Sequence, residues 1–194
     1  GSEMCIRDSI GVERTPSIAV SLLEPGSLGT EVLYHVNHLN DVRRLKVSGK
    51  MNDDDWVKIS MMGNLYSLDL SEAETSSVPD RQFYSSNGSY NDTGDWLFFH
   101  EIKLPPTLEV IGASAFYSAK ITEITLPEGL REIDEDAFRA SLVKEAFLPS
   151  AVTKIGSSAF ESCPFLESIS LPEDIKEIPY NVFYDCAVLD DSLR

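Results

Sequence analysis

One phrase of six residues recurs four times in this chain, at steps of 22, 22 and 23 residues. It reads Ile-Gly-Ala-Ser-Ala-Phe at 111–116, Ile-Asp-Glu-Asp-Ala-Phe at 133–138, Ile-Gly-Ser-Ser-Ala-Phe at 155–160 and Ile-Pro-Tyr-Asn-Val-Phe at 178–183. A short period held over several copies marks a stacked repeat, in which each unit touches only its neighbours. Few chains are more tightly constrained, because every column of the repeat must occupy the same place in each unit.

The alignment extends beyond the phrase. Seven residues before each Ile stands a Leu-Pro pair: Leu104-Pro105, Leu126-Pro127, Leu148-Pro149 and Leu171-Pro172. Two residues before that Leu come Ile102, Ile124, Ala146 and Ile169, and three earlier again Phe99, Ile121, Val143 and Leu166. Leu108, Leu130, Val152 and Ile175 follow the Leu, and Ala119, Ser141, Cys163 and Cys186 follow the Phe. Alternation at Ile124 and Leu126 predicts a short strand. Proline ends it, having no N–H for the next ladder bond. The stretch Asp134–Phe138 reads as a single helical turn with an acidic N-cap. A lone coil of this kind buries too few side chains to offset the cost of ordering its backbone, so coils must stack.

Looser copies precede these. Asn64–Ser71 repeats the strand pattern, with Val78 and Phe83 five residues apart like each Ile–Phe pair. Val42–Gly49 gives another strand, and Asn52–Gly63 a helix with acids at its start, an apolar stripe of Trp56, Ile59 and Met62, and a closing glycine. The polar stretch 86–96 reads as a loop inserted into one coil. Residues 10–41 suggest a strand, a Pro-Gly turn and a helix, fit to cover the first coil as an N-terminal cap.

With those columns in view, the phrase Ile-Gly-x-x-Ala-Phe-x-x-Cys after Leu-Pro resembles the BspA-type leucine-rich repeat. The resemblance implies an α/β leucine-rich-repeat solenoid, with short parallel strands stacked beside short helical turns. About six coils over 42–191 would follow the cap, with 192–194 a truncated tail. It further implies an exported bacterial protein, at the cell surface or secreted, that adheres to other macromolecules. Departures within the repeat are Asp134 and Pro179 in place of glycine. The first nine residues are set apart, because Met4-Cys5-Ile6-Arg7-Asp8 resembles the translated end of a sequencing adapter.

Composition narrows the function classes. A net charge of −16 argues against nucleic acid as a partner, since phosphate contacts need Lys and Arg. No apolar run reaches the length of a membrane-spanning helix, so no membrane insertion is expected from this stretch. No catalytic constellation, phosphate loop or zinc-type cysteine spacing is present, and neither an enzyme, a metal nor a cofactor is expected. His35 and His38, with Asp41, fall on one side of the predicted helix of the cap, which reads as a solvated face. Asp53–Asp55 read as a helix start, and Asn91–Asp95 lacks the alternating ligands of a calcium loop. Cys163 and Cys186 share a column, where they are either small buried residues or, one coil apart, partners for a disulfide.

What remains is the outward side of the strands, expected to form one continuous face. Arg44/Lys46, Ser67/Asp69, Glu101/Lys103, Glu123/Thr125, Glu145/Phe147 and Ser168/Ser170 point that way. Phe147 interrupts a polar column of Lys103, Thr125 and Ser170, either as a contact anchor or packed locally under a loop. Lys103, Glu123, Thr125, Glu145, Phe147 and Ser170 are the candidate binding residues, for a protein or cell-surface macromolecule. The competing expectation is a structural spacer that carries another domain.

Overall fold

The computed structural model describes residues 17–84, 101–175 and 177–189. The inserted stretch 86–96, the adapter-like residues 1–9, Phe99 and the tail 192–194 lie outside them.

Eleven strands follow in chain order: β1 (Ser17–Ser21), β2 (Arg44–Lys50), β3 (Ser67–Glu74), β4 (Ser77–Val78), β5 (Glu101–Lys103), β6 (Val110–Ile111), β7 (Glu123–Thr125), β8 (Glu132–Ile133), β9 (Glu145–Phe147), β10 (Lys154–Ile155) and β11 (Ser168–Ser170). Helices α1 (Leu28–Leu33) and α2 (Asp53–Ser60) lie between the first three strands. All pairings are parallel, and the order β1-β2-β3-β5-β7 forms the principal sheet. Its register places Leu45, Leu68, Ile102 and Ile124 side by side, so one aliphatic file runs across the coils on the inner side. Between β2 and β3 the register shifts after Lys46, a bulge beside which Asp69 accepts bonds from the Ser71 N–H (3.0 Å) and hydroxyl (2.5 Å). Gly49 has φ +94, and a Cβ there would lie 2.6 Å from the Leu22 carbonyl oxygen, so only glycine fits.

The residues around each phrase build two further layers. The Val78, Ile111, Ile133 and Ile155 positions pair in a second parallel sheet of order β4-β6-β8-β10. Strands of two residues are too short to show a period, and the sequence gives no sign of this sheet. The N–H after each Ile ties it down: Gly112 donates to Val78 O (2.9 Å), Asp134 to Ile111 O (2.9 Å) and Gly156 to Ile133 O (2.7 Å). Pro179 has no N–H to continue the series, and the second sheet stops at β10. Ile178 keeps its column but is 52% exposed, whereas Ile111 and Ile133 are fully buried.

The helical turn expected at Asp134–Phe138 is instead a run of turns. Ser114, Ser118, Asp136, Ala140, Ser158, Ser162, Asn181 and Asp185 take φ between 55 and 59, the left-handed region. A helix would direct its N–H groups back into its own coil. This backbone turns every second one toward the next coil. Ser114, Phe116 and Ser118 donate to Glu135 O (2.9 Å), Ala137 O (2.7 Å) and Arg139 O (2.8 Å). Asp136, Phe138 and Ala140 repeat the pattern to Ser157 O, Ala159 O and Glu161 O at 3.0, 2.8 and 2.8 Å. The intervening N–H groups close four-residue turns, as from Ala115 to Gly112 O. Behind this ladder the phenylalanines stack: Phe83–Phe116 at 5.2 Å, Phe116–Phe138 and Phe138–Phe160 at 5.1 Å, and Phe160–Phe183 at 6.2 Å between ring centres.

Toward the N-terminus the ladder gives way to α2, whose Trp56 meets Phe83 edge-on at 6.3 Å. Asn52 caps this helix, accepting from the Asp54 and Asp55 N–H groups. Asp55 is fully buried, and its carboxylate accepts from the Gly26 (2.8 Å), Leu28 (3.0 Å) and Asn52 (3.0 Å) N–H groups. It thereby pins the turn before α1 to the start of α2. Helix α1 stops at Leu33, short of the predicted extent, so His35, His38 and Asp41 share no helix face. Asp41 instead accepts from the His38 N–H (3.1 Å) in a tight turn.

Candidate binding surface

The strand face is built by alternation: inner residues such as Ile102 and Ala146 fill the core, and their neighbours are turned outward. The structure does not make this face one unbroken sheet. β9 and β11 pair with each other in a separate two-stranded sheet. Between β7 and β9 the described hydrogen bonding falls to the strand entry, where Lys144 N–H reaches Thr122 O (3.1 Å). Ile124, beside this gap, is half-buried, and its counterpart is the small Ala146 in place of Ile. The smaller side chain leaves less apolar contact to hold the two strands in register.

The face divides into two halves. Toward the N-terminus the charges neutralise one another. Lys46 pairs with Glu72 (2.6 Å), Lys103 with Asp69 (3.4 Å), and the Arg44 guanidinium lies 5.8 Å from the Tyr66 ring centre. Partial burial pushes the Asp69 carboxyl up, but the Ser71 hydrogen bonds and the Lys103 ion pair outweigh it and hold it below the ordinary value. Toward the C-terminus the outward groups are unengaged. Glu123, Thr125, Glu145, Phe147 and Ser170 are all exposed, and among the described residues their side chains form no hydrogen bond or ion pair. Glu101 stands opposite Glu123 in the register, with Ser67 donating to it at 3.2 Å. Phe147 is 63% exposed, so no described loop packs over it. Of the six candidate residues, Lys103 is thus tied to Asp69 and the other five face solvent.

A second file on the turn side was legible in principle, since it is the residue after each Phe. Tyr84 and Tyr117 lie 4.9 Å apart, and Arg139 stands 5.9 Å from the Tyr117 ring. Arg139 also bridges Asp136 (3.2 Å) and the nearly buried Glu161 (2.7 Å). This file consumes its own charges and leaves little free to bind. Cys163 and Cys186 are buried thiols, not joined in a disulfide, and donate to Phe138 O (3.1 Å) and Phe160 O (3.0 Å).

The family pattern for the BspA type leucine rich repeat region, in six copies, matches residues 95–191, half of the chain. The chain belongs to the BspA-type leucine-rich repeat family. Members of such repeat families are typically protein-binding and non-enzymatic. No protein of curated function matches this BspA-type chain. Among solved structures it resembles a leucine-rich repeat protein of Bacteroides ovatus, with a TM-score of 0.58 at 24% identity over 74% of this chain and 34% of that one. It also resembles the T. pallidum leucine-rich repeat protein, TM-score 0.57 at 24% identity over 89% of this chain and 67% of that one. A leucine-rich repeat protein of Eubacterium ventriosum follows, TM-score 0.51 at 14% identity, covering 79% and 38%. At these identities the likeness establishes the fold. The BspA-type chain spans about a third of the Bacteroides ovatus protein's length.

Proposed function

We propose that this BspA-type solenoid is a binding module of a bacterial cell-surface or secreted protein, adhering to another protein or surface macromolecule through its strand face from β5 to β11. The contact set is Lys103, Glu123, Thr125, Glu145, Phe147 and Ser170. One observation supports the reading above others: Phe147 is 63% exposed on a rigid strand, next to carboxylates that no neighbour neutralises. An aromatic ring held open to water is a poor use of apolar surface unless a partner covers it. The carboxylates favour a partner with cationic side chains beside an apolar patch. Export is supported by the family alone.

The test is binding of the purified, labelled protein to whole bacterial and epithelial cells, compared with a Phe147→Ser/Glu123→Lys/Glu145→Lys variant. At least a tenfold loss of saturable binding, at an unchanged melting temperature, is expected. Saturable binding that the triple variant retains would move the contact surface elsewhere. Absence of binding by either protein would favour a spacer that carries another domain.

A further inference from the structure

On its turn side the last described coil is tied less firmly than the others, although its strand β11 pairs with β9. Pro179 removes the bond to Ile155 O, no strand among the described residues extends the second sheet past β10, and the Phe160–Phe183 ring separation widens to 6.2 Å from 5.1 Å. Ile178 and Tyr180 are 52% and 82% exposed. Its remaining backbone ties to the previous turn are bonds from Ser158 to Tyr180 O (3.1 Å), Phe160 to Val182 O (3.0 Å) and Ser162 to Tyr184 O (2.7 Å). A coil held by fewer backbone bonds opens more readily than its neighbours. Within this coil, Cys186 shares a file with Cys163.

That file brings side chains into contact at each coil step, as the 3.5 Å approach of Ser141 Oγ to Cys163 Sγ shows. Cys186 takes the next place in that file, close enough for its thiol to act on the Cys163 proton. A coil step of about 4.8 Å falls within the Cα separations that a disulfide spans. We propose that Cys163 and Cys186 are a disulfide-forming pair, which clasps this coil onto its neighbour when the protein meets a small-molecule disulfide. The hydrogen bond to Cys186 and burial hold the Cys163 thiol above the usual thiol range, so it is protonated and unreactive in the closed stack. When the coil opens, the Cys186 thiolate attacks the donor disulfide, forming a mixed disulfide and releasing one thiol. On reclosure Cys163 loses its proton, its sulfur attacks Cys186 Sγ, and the second donor thiol leaves. Two protein thiols and one donor disulfide thus yield one protein disulfide and two donor thiols. The clasp does not rest on the binding proposed above.

The test uses the full chain carrying Cys5→Ser, incubated with oxidised glutathione above pH 8 and mapped by mass spectrometry after alkylation. The expected product is a peptide joining Cys163 to Cys186, lighter by two hydrogens than the reduced pair. Closing a loop of this length should raise the melting temperature by about 5 °C or more, with slower amide exchange over 177–189. Cys163→Ser and Cys186→Ser variants, which the Ser141 position shows to be sterically acceptable, should gain neither. Persistent free thiols, linkage only between molecules, or a linked form that melts lower would each overturn the clasp.

Discussion

Phe138 has a phenylalanine on either side of it, each 5.1 Å away and tilted by less than 10°, at 6° and 9°. Removing the ring empties a slot that the backbone ladders on both sides hold open. Phe138→Ala is expected to cost about 3–5 kcal/mol, read by denaturant unfolding. Asp55 holds a different kind of centre, a buried carboxylate whose charge is met by three backbone N–H groups at two helix starts. Asp55→Ala strands those donors and is expected to cost about 3 kcal/mol or more, with amide exchange accelerating first over 24–33. The sequence put acids at this helix start for the right reason, yet could not single out Asp55. Nothing local says that its carboxylate reaches back to Gly26 and Leu28. Phe147→Ser, by contrast, should leave the melting temperature nearly unchanged, because its ring is open to water.

The element whose form the sequence misread is the turn that carries each phenylalanine. An acidic or serine residue ahead of Ala-Phe signals a helix start, and the same residues tolerate left-handed backbone. Only the neighbouring coil, with carbonyls waiting at each step, decides between the two. The distinction has a sign that can be measured. In a helical turn Ala140→Gly would destabilise by about 1 kcal/mol. At φ 57 it should instead stabilise by about 0.5–1 kcal/mol, as a rise in melting temperature. The strands were legible because Ile-x-Leu alternation survives in three-residue pieces, whereas nothing in the spacing marks the break between β7 and β9. On the same face, the Asp69 carboxyl lies below its unfolded value, so its contribution is present above the ordinary carboxylate pKa. It is lost as pH falls through the folded value. Asp69→Asn should lower the melting temperature at pH 7, an effect that fades as pH falls below the ordinary carboxylate range.

Across the whole molecule the columns leave little freedom. The aliphatic, Leu-Pro and phenylalanine files were all readable from spacing, since a residue that recurs every 22 or 23 positions has the same neighbours each time. What spacing could not convey is direction. From Arg81 onward, each described hydrogen bond between successive Phe turns runs from an N–H of the earlier coil to a carbonyl of the later one. This file of turns is therefore polar, like a row of magnets laid head to tail. Each turn shows carbonyl oxygens to its N-terminal side and hydrogen atoms to its C-terminal side. Two hydrogen-bearing sides brought together would oppose donor to donor, whereas a carbonyl-bearing edge of the correct sense can extend the file.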